Sequence, residues 1–185
     1  ALMKFEENLL KHKINIKRNH LDTLQINIGK KCNQACKHCH VDAGPNRTEN
    51  MQLNVINHLT FLLSKCSSVK TIDITGGAPE LNTYFKKFIV SLRGMNKKVI
   101  DRCNLTVLHE IGQEDTAIFL ANHQVEIVAS LPCYQKENVD SQRGKGVFEK
   151  SISSIKLLNK LGYGKKNSNL ILNLVYNPVD YNLPP

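Results

Sequence analysis

Apolar segments of alternating period run the length of this 185-residue chain, and that alternation limits the fold more than any other feature. Residues 24–29 are apolar at every second position and rich in branched side chains, as a strand requires. Strand-like runs recur at 69–75, 98–103, 125–131 and 170–175, that at 125–131 nearly continuous in apolar residues and so suited to burial on both faces. Between them the period lengthens to that of helices. Thr48 stands where it can cap a helix with Met51, Val55, Leu59 and Leu62 on its apolar face. Residues 80–92 place Phe85, Phe88, Ile89 and Leu92 together, with Gly94 as a stop. A short helix is expected over 114–122, then a long loop over 132–146. A final helix over 147–161 aligns Ile152, Ile155, Leu158 and Leu161. Strands alternating with helices predict right-handed crossovers and an α/β fold with a parallel sheet. Periodicity alone does not separate an open doubly wound sheet from part of a (β/α) barrel. In either, reactive residues gather beyond the carboxyl ends of strands, where the segments following 29 and 75 lie together with Asn104, Ser130 and Asn177.

The loop after the first strand holds Cys32, Cys36 and Cys39 in a C-x3-C-x2-C pattern, short enough for one turn of chain to aim three sulfurs at a common centre. Thiolates grouped in this way select zinc or iron–sulfur clusters. A structural zinc site closes four positions, and although His40 offers a fourth donor, adjacent side chains in an extended loop diverge. Three ligands on a four-iron cluster leave one iron open to a chelating cofactor. The chain has six cysteines and no secretory signal, which argues for free, metal-binding thiols rather than disulfides and for a cytoplasmic protein. No apolar run approaches the ~20 residues that span a bilayer. The net charge of +9 is carried by scattered Lys and Arg with only 6% aromatic residues, a pattern of solubility rather than of a nucleic-acid surface.

A second glycine-rich turn, Thr75-Gly76-Gly77-Ala78-Pro79, follows the second strand, where glycines allow close backbone approach to a ligand. With the cysteine loop and the alternating strands, it makes the chain resemble the radical S-adenosylmethionine (SAM) superfamily. The stretches CNQACKHCHVDAGPNRTE, TGGAPELN, VIDRCNLTVL, EIVASLPCYQKENVDSQRGKGVF and LNLVYNP look more narrowly like the arsenosugar-biosynthesis radical SAM family, also described as radical SAM/Cys-rich domain proteins. The resemblance covers nearly all of the chain from residue 24 onward.

It implies a partial (β/α) barrel of about five βα units, with an N-terminal extension at 1–23 and a core at 24–185 that stops before a Cys-rich C-terminal region. It implies that Cys32, Cys36 and Cys39 hold a 4Fe-4S cluster, that SAM chelates the open iron, and that an electron from a donor such as flavodoxin or ferredoxin splits SAM to methionine and a 5'-deoxyadenosyl radical. Gly76 and Gly77 match the turn that holds the SAM amino group, Ser130 and Arg143 sit where related enzymes grip its carboxylate, and Asn104 is placed for the ribose. Ala78 stands where many members carry Glu, and His38 replaces the usual aromatic residue. The implied substrate is a dimethylated trivalent arsenical, a soft, thiol-seeking small molecule, so Cys133 and Cys103 are expected to face the barrel mouth as substrate thiols, with buried structural thiols as the alternative. Cys66, among apolar residues, reads as a core thiol. A radical SAM enzyme acting on a peptide or RNA and a non-catalytic zinc module remain open beside this reading.

Overall fold

A computed structural model describes residues 4–17, 20–36 and 39–176. Its five strands, β1 (Thr23–Asn27), β2 (Thr71–Thr75), β3 (Lys98–Asp101), β4 (Glu126–Ser130) and β5 (Leu172–Val175), form one wholly parallel sheet in the order β1-β2-β3-β4-β5. A doubly wound sheet reverses its strand order at a switch point. This one never does, and the partial-barrel reading is the one that holds.

Register explains why the two faces differ. Leu24 pairs with Ile72, Ile26 with Ile74, Ile72 with Val99 and Ile127 with Leu172, so one face is apolar and buried beneath helices. The opposite face carries Gln25, Asp73, Lys98, Arg102, Glu126 and Asn173. There Arg102 forks onto Asp73 at 2.8 Å, Gln25 bonds the same carboxylate at 2.9 Å, and Glu126 accepts from Lys98 at 2.6 Å and Asn173 at 2.8 Å.

Among the described residues six α-helices accompany the strands: α1 (Phe5–Lys11), α2 (Leu53–Lys65), α3 (Phe85–Gly94), α4 (Thr116–Asn122), α5 (Lys136–Arg143) and α6 (Val147–Lys160). None of the residues of α1 is buried, and none of the helices is long and apolar enough to cross a membrane. In α3, Phe85, Phe88, Ile89 and Leu92 form the buried face as expected.

Two helices depart from expectation. Residues 48–52 are extended rather than helical, because Lys30 N–H donates to Glu49 O and Met51 N–H to Ile28 O, lacing this segment across the end of β1. The buried face of α2 is therefore Ile56 and Leu63, leaving Val55 and Leu62 43% and 47% exposed. In α6 Leu158 is wholly buried and Ile155 and Leu161 pack partly buried against the core, as expected, but the fully buried positions also include Val147, Ser151 and Ser154. Ser154 Oγ donates to Leu105 O at 2.8 Å, fastening α6 to the loop after β3. Ser154→Ala removes this tie, leaving Leu105 O only the Leu108 N–H at 3.2 Å, and is expected to cost about 1 kcal/mol in denaturant unfolding.

Candidate functional site

The cysteine loop is built by short-range pairing across its base. Gly44 N–H donates to Lys30 O at 3.1 Å and Cys32 N–H to Gly44 O at 3.2 Å, closing residues 31–44 into a lobe. Inside it, Cys32 Sγ accepts from Gln34 N–H at 3.4 Å and from Asn104 Nδ2 at 3.5 Å, and Cys39 Sγ accepts from Ala43 N–H at 3.2 Å. Asn104 Nδ2 also donates to Asn33 Oδ1 at 2.7 Å and Asn104 Oδ1 accepts from Val107 N–H at 3.0 Å, so this side chain ties the lobe to the loop after β3.

The Gly-Gly turn docks against the same lobe. Gly77 N–H donates to Gly29 O at 3.0 Å and Ala78 N–H to Lys31 O at 2.9 Å. Gly76 has φ of 151°, and a Cβ there would lie 2.5 Å from Gly29 O. At Gly77 a Cβ would strike Lys31 O and sit 2.9 Å from both Lys30 O and Ala43 Cβ. The glycines are thus required first by backbone packing on the cysteine lobe, and their position at the cleft follows from that docking.

Lobe and turn open onto a cleft of about 730 Å³ at the carboxyl ends of the strands, within the ~300–1,000 Å³ of ordinary ligand sites. Cys32, Cys36, Cys39, Gly76, Gly77, Asn104, Ser130 and Arg143 all line it. Sequence reasoning did not anticipate Gln34, Arg102 or Gln142 there. Arg102 was legible as the next outward position after Ile100 on β3. Gln142 and Arg143 lie on α5, a helix hidden in what reads as a loop because Val139 is its one buried residue. The two arginines differ. Arg102 is committed to Asp73, whereas Arg143 touches only Gln34 Oε1, at 3.4 Å, and has no ion pair among the described residues.

Burial raises the thiol pKa of Cys32, opposed by the Gln34 N–H and the Asn104 amide, with Cys36 and Cys39 raising it further. Burial likewise raises Cys36, with Arg143 opposing and Cys39 adding. Three crowded, partly desolvated thiols that repel one another as thiolates favour a metal cation in their midst. Gln142 Nε2 is buried beside the cleft with no acceptor among the described residues. This donor set fits an iron–sulfur cluster with a polar cofactor beside it.

The structure places the two expected substrate thiols elsewhere. Cys103 is wholly buried on the helix-covered side of β3, where strand alternation puts it with Val99 and Asp101. Cys133 is buried in a small apolar cluster with Leu131, Val139 and Val147, its sulfur accepting from Gln135 N–H at 3.3 Å. Neither lines the cleft. Cys66, at the end of α2, packs partly buried against the main core. His38 and Asn177 lie outside the described residues.

Among curated proteins, YydG of Bacillus subtilis, named for peptide biosynthesis, is 30% identical over 70 residues, 38% of this chain and 22% of its own length. The GTP 3',8-cyclase of Helicobacter pylori is 32% identical over 83 residues, 43% of this chain and 25% of its own length. The matched stretches thus span about a quarter of those relatives. Among solved structures, Streptococcus suis SuiB bound to precursor peptide SuiA superposes with a TM-score of 0.64 at 19% identity, covering 88% of this chain and 36% of that one. anSMEcpe with bound AdoMet gives 0.66 at 19% identity, covering 85% and 43%. At such identities these two establish a shared fold. A family model described as the radical SAM superfamily matches residues 26–180, from within the first strand to beyond the last, and by that match this chain belongs to the radical SAM superfamily.

Proposed function

We propose that this chain binds a 4Fe-4S cluster through Cys32, Cys36 and Cys39, cleaves SAM reductively, and transfers the 5'-deoxyadenosyl group to dimethylated trivalent arsenic. The superfamily's cofactors are this cluster and SAM. In this reading residues 24–185 are the catalytic core and 1–23 an extension. The observation that carries it is convergence: the three thiols, the Gly-Gly turn and an arginine with no ion pair line one cleft. When bound, the cluster supplies the electron that splits SAM into methionine and a 5'-deoxyadenosyl group. The residues' own work is to hold and orient. Three thiols leave a place for the amino-acid end of SAM, and the backbone at Gly76 and Gly77 lies beside it. Arg143 offers a planar fork to the carboxylate, and Ser130 adds a hydroxyl at the end of β4. Asn104, whose amide is engaged with Asn33 and Cys32, acts as a positioning residue for the cysteine lobe.

Arg143→Ala is expected to weaken SAM binding to the reconstituted protein about 10- to 150-fold, the loss of one charge-assisted bond of ~1.5–3 kcal/mol. Arg143→Lys should recover part of that, read by equilibrium titration.

The arsenical substrate is supported by the long motifs of the cysteine lobe, the Gly-Gly turn and residues 126–148. With Cys103 and Cys133 outside the cleft lining, an arsenical would be held there by the cofactors and by polar groups rather than by those thiols. A second reading, a peptide substrate, is favoured by the likeness to SuiB and YydG. Anaerobic incubation with SAM, reductant and dimethylarsinous acid, followed by mass spectrometry, decides. A 5'-deoxyadenosyl–arsenic adduct supports the first reading, and cleavage of SAM to 5'-deoxyadenosine with no such adduct rejects it.

A further inference from the structure

Asp101 breaks the pattern of the sheet. Its neighbours in register, Ile74 and Ile127, are apolar, as is every other strand residue on the helix-covered face, yet Asp101 lies among them at 0% exposure. Cys103, two residues on along the same face, is also 0% exposed, and Glu80, from the Pro79–Leu81 turn after β2, is 4% exposed. One ligand atom from each of the three lies within 4.8 Å of the others. Among the described residues nothing outside the trio donates a hydrogen bond to either oxygen of Glu80 or of Asp101, and no ion pair involves either side chain. Enclosing unpaired carboxylates in a core costs several kcal/mol each, so something must compensate them.

We propose that Glu80, Asp101 and Cys103 form a second metal site, holding one divalent ion of borderline softness such as zinc, on the helix-covered face of the sheet. The donor chemistry selects the ion. Magnesium and calcium take all-oxygen cages, whereas zinc accepts carboxylate and thiolate together. Tetrahedral zinc holds such donors roughly 3.5 Å apart, so the three side chains need only tighten around the ion. The backbone is set for this. Asp101 and Cys103 share a strand face at i and i+2, and Gln113 Nε2 fixes the Glu80 carbonyl at 3.1 Å. Leu105, held at φ of 67°, turns its N–H onto Cys103 Sγ at 3.2 Å, a bond that favours the thiolate a metal needs. Burial raises the pKa of all three groups, so a metal binding here competes with protons. Because the site is enclosed, the ion enters as β3 and the turn assemble.

The test uses the full chain with Cys32, Cys36 and Cys39 all changed to alanine, which removes cluster iron and any zinc in the lobe. Refolded anaerobically with zinc, it is expected to retain one zinc per chain through gel filtration. Refolded with cobalt, it should show a thiolate-to-cobalt charge-transfer band. Adding Glu80→Gln or Asp101→Asn removes the bound metal, and adding Cys103→Ser removes the band. A folded, metal-free parent would overturn the site and leave a trio of shared protons in its place. Zinc retained undiminished in folded Glu80→Gln and Asp101→Asn variants would overturn it equally. If the triple-alanine chain does not fold, the cluster-loaded wild-type chain answers by elemental analysis: one zinc beside about four irons supports the site, and iron alone rejects it.

Discussion

Cys36→Ala is expected to lower SAM cleavage to the background of cluster-free protein. Of the three loop thiols, Cys36 is the most informative to remove. Cys32 is buried at the base of the lobe and accepts two hydrogen bonds, so its replacement also loosens the fold, and Cys39 caps the Ala43 N–H. Cys36, half-buried, only donates to Gln34 Oε1 at 3.4 Å. Its loss leaves two thiolates for a cluster that needs three, while folding stability stays within about 0.5 kcal/mol of the parent. Iron and sulfide content after anaerobic reconstitution, the visible absorption of the cluster and the yield of 5'-deoxyadenosine should fall together. Retention of about four irons with undiminished cleavage would remove Cys36 from the ligand set.

Gly77→Ala is expected to disable the site by a different route. The new methyl group has nowhere to go. It meets Lys31 O, and Ala43 Cβ and Lys30 O stand at 2.9 Å, all parts of the lobe that carries the thiols. Relief requires the turn to withdraw, stretching the bonds from Gly77 N–H to Gly29 O and from Ala78 N–H to Lys31 O. Overpacking of this kind costs about 1–3 kcal/mol, and at about 2–4 °C per kcal/mol for a chain of this size the melting temperature should drop by about 2–12 °C. SAM binding should suffer beyond that loss, because the displaced turn borders the cleft. Gly94→Ala is the control. A Cβ there meets nothing within 4 Å, and the change should be neutral or slightly stabilising. Equal melting temperatures for the two variants would show that the turn is not wedged as described.

The strands were legible because each carries its period or a continuous apolar run, and the cysteine lobe because its spacing is compact and its residue types few. What escaped the sequence did so for identifiable reasons. Helix α5 has a single buried apolar residue, Val139, so it offers no 3.6-residue stripe, yet it brings Gln142 and Arg143 to the cleft. In α6 the stripe through Ile155, Leu158 and Leu161 was legible, but the buried Ser151 and Ser154 beside it were not, because their hydroxyls are satisfied by Val147 O and Leu105 O. The α2 boundary moved because pairing with the end of β1 outcompeted the local capping signal at Thr48. For Cys103, proximity in sequence to a strand end was read as proximity to the mouth. Which face a residue takes depends on register, and one position along a strand reverses it. Choosing a barrel over a doubly wound sheet needed the strand order itself, which no local pattern contains.

A sheet whose spatial order repeats its chain order has a consequence for how it is made. Each new strand finds its partner already in place as the neighbour just synthesised, so no gap has to be held open for a later insertion. The cysteine lobe rests on the turn after β2 through Gly77 and Ala78 and on the loop after β3 through Asn104, so its own supports have all left the ribosome once Asn104 has, while the cleft beside it still awaits Ser130, Gln142 and Arg143. Arg143 arrives about forty residues later, so in the proposed reading the three thiols are in place before the arginine assigned to the SAM carboxylate.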